Sequence, residues 1–378
     1  MLKEFFQNQQ EDMMKLLEKL VNIDSGSYVK SGIDQVGSIL KEKYEALGFH
    51  VEVHPQEETG NHLTVVHKEA DHPEILIIAH MDTVFPAGTA KERPFKTEGN
   101  RAYGPGVIDM KASQTAVLYC MKALVESGND AYKNVMIILN SDEEIGSISS
   151  RKLIEELARG KKYALIVEPG RADGSIVSQR KGGGGFTITA YGKAAHAGVE
   201  PEKGISAIEE LAHKIIKIHA LTNYEEGLTL NVGMIEGGTS VNSVAAKAVA
   251  RVDVRIATPE QAEYVTKAIK DICAKPDVPG TTIEVTGKIG RPPMYLNEKS
   301  KQLLTMIKEV GKEIGLDIKD TKTGGGSDGN FTAAAGVATI DGMGPVGGSA
   351  HSEREYLEID TLVERSLLLT ETIKKLSC

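Results

Sequence analysis

Two histidines and a set of acids are notable in this sequence for where they fall. His80 closes the apolar run Ile75-Leu76-Ile77-Ile78-Ala79, Asp142-Glu143-Glu144 come just after Val135-Met136-Ile137-Ile138-Leu139, and Glu168 closes Ala164-Leu165-Ile166-Val167. Asp109, in Gly104-Pro105-Gly106-Val107-Ile108-Asp109-Met110-Lys111, adds a carboxylate, and His351, after Gly347-Gly348-Ser349-Ala350, adds a second imidazole. Imidazole nitrogen and carboxylate oxygen form a donor set for zinc, two zinc ions about 3.5–4 Å apart can share one bridging carboxylate, and a spare carboxylate can serve as general base. Asp82, two residues beyond His80, is placed to orient that imidazole through its second ring nitrogen.

Each residue also has a plainer reading. His80-Met81-Asp82 alone suits a polar loop, Asp109 suits a helix N-cap, and Glu168 suits a Pro-Gly turn. Asp142-Glu143-Glu144 suits a solvated turn, and Asp142 need be no more than that. His50, His54, His62, His67, His72, His213 and His219 lack supporting context and read as surface or packing residues.

The elements that must position these residues follow from periodicity. Short continuous apolar runs bounded by turn residues read as buried strands of a mostly parallel sheet, and ligands in such sheets sit beyond the carboxyl ends of the strands. Amphipathic helices are expected over Met110–Ser127, closed by Gly128, and Ser149–Ala158, closed by Gly160. This is an α/β pattern.

The order changes near residue 178. Strand Phe186–Tyr191, helix Ile205–Leu221, strands Leu228–Ile235 and Lys247–Ile256, helix Pro259–Cys273 and strand Thr281–Gly287 make a split βαβ, ferredoxin-like series. The α/β pattern returns after Arg291-Pro292-Pro293, with helix Ser300–Ile314, strand Gly336–Ile340 and a terminal helix from Asp360. Residues 1–178 and 291–378 therefore read as one domain, with 179–290 inserted as a second. The run Gly182–Gly185 suits either a hinge or a close backbone approach.

Composition narrows the function classes. The chain has 378 residues, 40% of them hydrophobic and 26% charged, with a formal net charge of −9 and no basic block. This argues against nucleic acid or an anionic membrane surface as a partner. Residues 1–20 form an amphipathic stripe rather than a signal peptide, and no apolar run is long enough to span a bilayer. Cys120, Cys273 and Cys378 are odd in number and far apart, which suits a reducing, cytoplasmic setting.

The segments Ala79-His80-Met81-Asp82-Thr83-Val84, Gly104–Lys111, Ser141-Asp142-Glu143-Glu144-Ile145-Gly146-Ser147, Val167-Glu168-Pro169, Gly192-Lys193-Ala194-Ala195-His196-Ala197-Gly198 and Ala350-His351-Ser352 occur in an order that resembles the M20 family of dinuclear zinc peptidases and deacylases. The resemblance implies a zinc-exopeptidase-like catalytic domain interrupted by an α+β lid and dimerisation domain. It implies two Zn2+ per subunit, with Co2+ or Mn2+ as alternatives, one held by His80, Asp109 and Glu168 and the other by Asp109, Glu144 and His351. It also implies Glu143 as general base, Asp82 as the partner of His80, a cis peptide after Asp109, and His196 as an oxyanion donor reaching the partner subunit of a homodimer.

Glu at position 168, with the sequences around Gly104 and His196, looks most like the glutamate carboxypeptidase branch. The substrate implied is a small peptide or N-acyl amino acid with a free carboxylate. Arg291 offers a bidentate fork for that group, Asn242 and Arg255 match substrate-holding lid positions, and Gly325 and Gly326 can present backbone amides. Arg255 equally suits an ion pair with Asp253. An aminopeptidase or tripeptidase on the same scaffold, and a non-catalytic binding protein, are the alternatives. A dinucleotide site is excluded, because no Gly-x-Gly-x-x-Gly follows the first strand.

Overall fold

The computed structural model describes residues 2–378. They divide into two compact units, the first comprising the chain to Gln179 with Leu296–Thr323 and Ser327–Cys378, the second Arg180–Tyr295 with Gly324–Gly326.

The first unit is built on a six-stranded sheet in the order Phe49–His54, His62–His67, Val135–Asn140, Ile75–His80, Tyr163–Ile166, Ala338–Ile340. The last four run parallel, and the first two are antiparallel additions at one edge. Every residue of Ile75–His80 is buried, because both faces of this central strand are covered. Ile75, Ile77 and Ala79 pack with helices Leu2–Val21, Lys30–Ala46, Ala112–Glu126 and Ile359–Leu376, whereas Leu76 and Ile78 pack with Ile154, Ala158, Phe331 and Val337 on the opposite face. Ala112–Glu126 is buried almost all round, against both Leu2–Val21 and Ile359–Leu376.

Register then fixes the rim. His80 lies opposite Asn140, and Ile78 opposite Ile166, so the residues that follow all three strands emerge on one edge. The expected helix Met110–Ser127 begins later, at Ala112. Val107–Lys111 is an irregular turn in which Asp109 and Met110 have non-helical backbone and the bond between them is cis. Ser149–Ala158 likewise starts only at Arg151, because Ser149 and Ser150 are held in a loop by Asp142.

The second unit is a four-stranded antiparallel sheet in the order Thr229–Gly237, Lys247–Ile256, Gly182–Tyr191, Thr282–Arg291. Helices Ala207–His219 and Pro259–Cys273 cover one face, where Ile188, Val252, Val254, Leu211, Val265 and Ile269 form the core. Gly182–Gly185 fit the close-approach reading. They form the first part of strand Gly182–Tyr191. A Cβ at Gly184 would collide with the Lys288 carbonyl, and one at Gly182 with the backbone of Pro292 and Pro293. The turn Gly324–Gly326 groups with this unit, where Arg180 Nη1 donates to the carbonyls of Gly325 at 3.3 Å and Gly326 at 3.4 Å.

A buried ion cluster ties helix Ala207–His219 to the segment between helix Pro259–Cys273 and strand Thr282–Arg291. Lys214 Nζ lies 3.0 Å from Glu210 Oε1 and 2.8 Å from Asp277 Oδ2, and Glu210 Oε2 accepts from the Val278 amide at 2.6 Å and Thr281 Oγ1 at 3.0 Å. Lys214→Met would strand the Glu210 carboxylate in the core, and a loss of about 3 kcal/mol or more is expected in denaturant unfolding. Hydrogen bonds from Lys214 and then Lys217 pull Asp277 down to about 2. Its contribution is therefore complete above the unfolded carboxylate value of about 4 and disappears as pH falls toward 2. Asp277→Asn should flatten the acid side of the stability profile between those limits, as read by melting temperature against pH.

Candidate metal centre

His80 is 2% exposed at the end of its strand. Its Nδ1 lies 2.9 Å from the backbone carbonyl of Asp82, so an Nδ1–H donates there and Nε2 faces the cluster. Nε2 is 3.2 Å from Asp109 Oδ1 and 3.7 Å from Glu168 Oε1. His351 comes from a loop far along the chain, with left-handed backbone at both Ser349 and His351. Its Nε2 is 3.1 Å from Asp109 Oδ2 and 3.2 Å from Glu144 Oε2. Asp109 thus presents one oxygen to each imidazole. Its carboxylate makes no N-cap bond to the helix that follows.

The electrostatics show what this cluster requires. Burial alone would lower the His80 pKa, but hydrogen bonds to Asp109 and Asp82 and the charge of Glu168 hold it well above the imidazole range. Hydrogen bonds to Asp109 and then Glu144 push His351 up to about 10. Burial, followed by the charge of Asp109, raises Glu168 well above the carboxylate range, and burial raises Glu144 as well. For Asp109, the bonds from His351 and His80 overcome burial and lower it. Positive charge among carboxylates gathered this closely favours their ionised form.

Donor atoms of His80, Asp109 and Glu144 lie within 4.8 Å of one another, as do those of His80, Glu143 and Glu168. Glu144 Oε1 is buried with no hydrogen-bond partner, as an atom reserved for a cation would be. The mixed nitrogen and oxygen set, with one carboxylate between two imidazoles, fits divalent metal.

The supporting residues were harder to foresee. Asp82 meets His80 chiefly through its backbone carbonyl, its carboxylate standing 3.5 Å from Nδ1. That carboxylate instead accepts from Ser27 Oγ at 2.7 Å and from the amides of Glu143 and Glu144, each at 3.2 Å. Asp142 is wholly buried rather than a solvated turn residue. It accepts from the Ser149 amide at 2.6 Å, Ser149 Oγ at 2.8 Å and the Ser150 amide at 3.2 Å. His62 is a packing residue under the same loop, 2.9 Å from Ser141 Oγ and 3.0 Å from Ser149 Oγ. Asp328 accepts from Asn140 Nδ2 at 2.8 Å and from Ser147 Oγ. Only the placement of Asp142 after a buried strand could have signalled any of this.

The remaining candidates lie in the second unit. His196 is exposed and its Nδ1 accepts from the Gly198 amide at 3.1 Å, while the Ala197 amide donates to the Asn242 carbonyl at 2.9 Å, which sets His196 and Asn242 on neighbouring loops. Asn242 Oδ1 accepts from Ser240 Oγ at 2.8 Å. The Arg291 side chain lies against Gly326. Arg255 makes the ion pair, with Nε and Nη2 2.9 and 3.0 Å from the Asp253 carboxylate.

Residues 76–375 match Peptidase family M20/M25/M40. The chain is 31% identical to carboxypeptidase G2 of Pseudomonas sp. (strain RS-16), over 98% of this chain and 90% of that protein. Among solved structures, aminopeptidase PepT from Bacillus cereus superposes with a TM-score of 0.82 at 23% identity, covering 98% of this chain and 99% of that one. A tripeptidase from Staphylococcus aureus gives 0.79 at 25% identity, covering 97% and 98%. The chain belongs to peptidase family M20/M25/M40 and is an enzyme of the metallopeptidase and amidohydrolase kind.

Proposed function

We propose that this enzyme is a dinuclear zinc hydrolase that cleaves the amide bond before a C-terminal amino acid carrying a free carboxylate. The observation that carries the two-metal reading is the Asp109 carboxylate, with one oxygen 3.2 Å from His80 and the other 3.1 Å from His351. His80, Asp109 and Glu168 would hold one ion, and Asp109, Glu144 and His351 the other. The carboxypeptidase or N-acyl-amino-acid hydrolase reading is supported by the 31% identity to carboxypeptidase G2. The likeness to PepT, at 23% identity, bears on fold alone, and the likeness to the Staphylococcus aureus tripeptidase, at 25% identity, supports an aminopeptidase as the second reading.

Divalent ions bound there would acidify a water and polarise the scissile carbonyl. The chain's own part is proton transfer and positioning. Glu143 takes a proton from the attacking water on its carboxylate and returns it to the leaving nitrogen. Asp82 fixes the Glu143 amide, and so the start of the turn that aims this base. In the second unit, His196 is assigned to the oxyanion. Arg291, with Asn242, Arg255, Gly325 and Gly326, is assigned to substrate, and homodimerisation through this unit belongs to the same proposal.

The test is hydrolysis of paired dipeptides with zinc supplied. Substrates with blocked amines and free carboxylates should be cleaved and the reverse pair spared, and cleavage of the reverse pair alone would move the enzyme to the aminopeptidases. Glu143→Gln should lower kcat by about 10²–10⁴-fold with metal content unchanged. Metal analysis should find two ions in the wild type and one in His351→Ala. Arg291→Lys keeps the charge but loses the fork, and should raise KM about 10-fold or more at nearly constant kcat.

A further inference from the structure

Residues 347–357 form a hairpin with two contacts to the same place. Gly347 and Gly348 pair antiparallel with Leu357 and Tyr356, and Tyr356–Glu358 pairs in turn with Arg101–Tyr103. This ladder seats the hairpin's return arm beside the turn that leads to Asp109. His351 sits in its loop and meets the Asp109 carboxylate at 3.1 Å. Glu355 sits on the return arm, 1% exposed.

The Glu355 carboxylate meets Asp109 from the backbone side. Oε1 accepts from the amides of Ile108 at 3.0 Å and Asp109 at 3.1 Å, and Oε2 accepts from the amide of Gly106 at 3.1 Å. Those amides belong to an irregular turn whose Asp109 and Met110 have non-helical backbone. Its own backbone bonds run from Lys111 N to the Gly106 carbonyl at 3.0 Å and from Val107 N to the Gly104 carbonyl at 3.2 Å, and the carboxylate supplies acceptors for the amides of Gly106, Ile108 and Asp109. Asp109 is consequently gripped at both ends by one hairpin, its carboxylate by His351 and its backbone by Glu355.

We infer that Glu355 is a positioning residue that sets the attitude of Asp109 toward both imidazoles and thereby tunes metal affinity. This rests on the reading of Asp109 as a ligand. A ligand carboxylate held by a well-fixed backbone loses little freedom on binding, whereas one on a loose turn must be ordered by the metal. Glutamine at 355 cannot satisfy the same three amides, because its NH2 group would face at least one of them, donor against donor.

The experiment is titration of metal-stripped protein with zinc against a competing chelator, for the wild type and for Glu355→Gln, Glu355→Ala and Asp109→Asn. Zinc affinity should fall about 10–100-fold in Glu355→Gln and further in Glu355→Ala. Unchanged affinity in folded Glu355→Gln alongside a lowered melting temperature would make Glu355 merely structural and overturn the inference, while Asp109→Asn still weakened binding. If Asp109→Asn binds zinc as the wild type does, the ligand reading fails, and the inference with it. Hydrogen exchange on the metal-free wild type needs no variant to fold. Protected Gly106, Ile108 and Asp109 amides support the grip, and exchange at open-loop rates overturns it.

Discussion

Asp109, Glu143, Glu144 and Glu168 are drawn to one rim of a buried sheet, where their mutual repulsion is poorly screened by water. A flexible scaffold would relieve that repulsion by letting the carboxylates swing apart. The central strands, with the hairpin that holds Asp109, limit this. Ile75–His80 is buried along its whole length and paired in parallel on both sides, so His80 and the loops after Val135–Asn140 and Tyr163–Ile166 leave a surface with almost no freedom to yield.

Around that rim the protein repeats one solution. Asp82 accepts the amides of Glu143 and Glu144, Asp142 those of Ser149 and Ser150, and Glu355 those of Gly106, Ile108 and Asp109. Each buried carboxylate takes up the unpaired donors of a loop that bears a candidate ligand or base. Loop backbones become as determined as strands, although they follow no regular ladder.

The alternation of apolar runs and helices made the α/β character legible, because burial on both faces of a parallel strand leaves an unmistakable composition. The elements of the second unit were legible for a related reason, since Arg251, Asp253 and Arg255 alternate with Val252, Val254 and Ile256. The start of Ala112–Glu126 was not, because the irregular turn before it is held from a distance by Glu355, and local propensity carries no trace of a partner so remote in sequence. Gly182–Gly185 were ambiguous because glycine permits both motion and close contact, and only the neighbours Lys288 and Pro292 decide between them. Among the candidate site residues, those at strand ends were visible by position. Asp142 and Asp82 were visible as acids, but their hydrogen-bonding partners were not.

The outermost parallel strand, Ala338–Ile340, pairs with Tyr163–Ile166 across the whole second unit, which intervenes in the chain. A polypeptide emerging from the ribosome therefore exposes the edge of Tyr163–Ile166 while the contiguous βαββαβ segment is still being made. Its own strand partners are close in sequence, so that segment can close before the sheet that flanks it is complete. The hairpin bearing His351 and Glu355 comes later still. Until it docks, the Asp109 turn lacks both of its anchors, so the cluster around Asp109 is completed only by the last part of the chain.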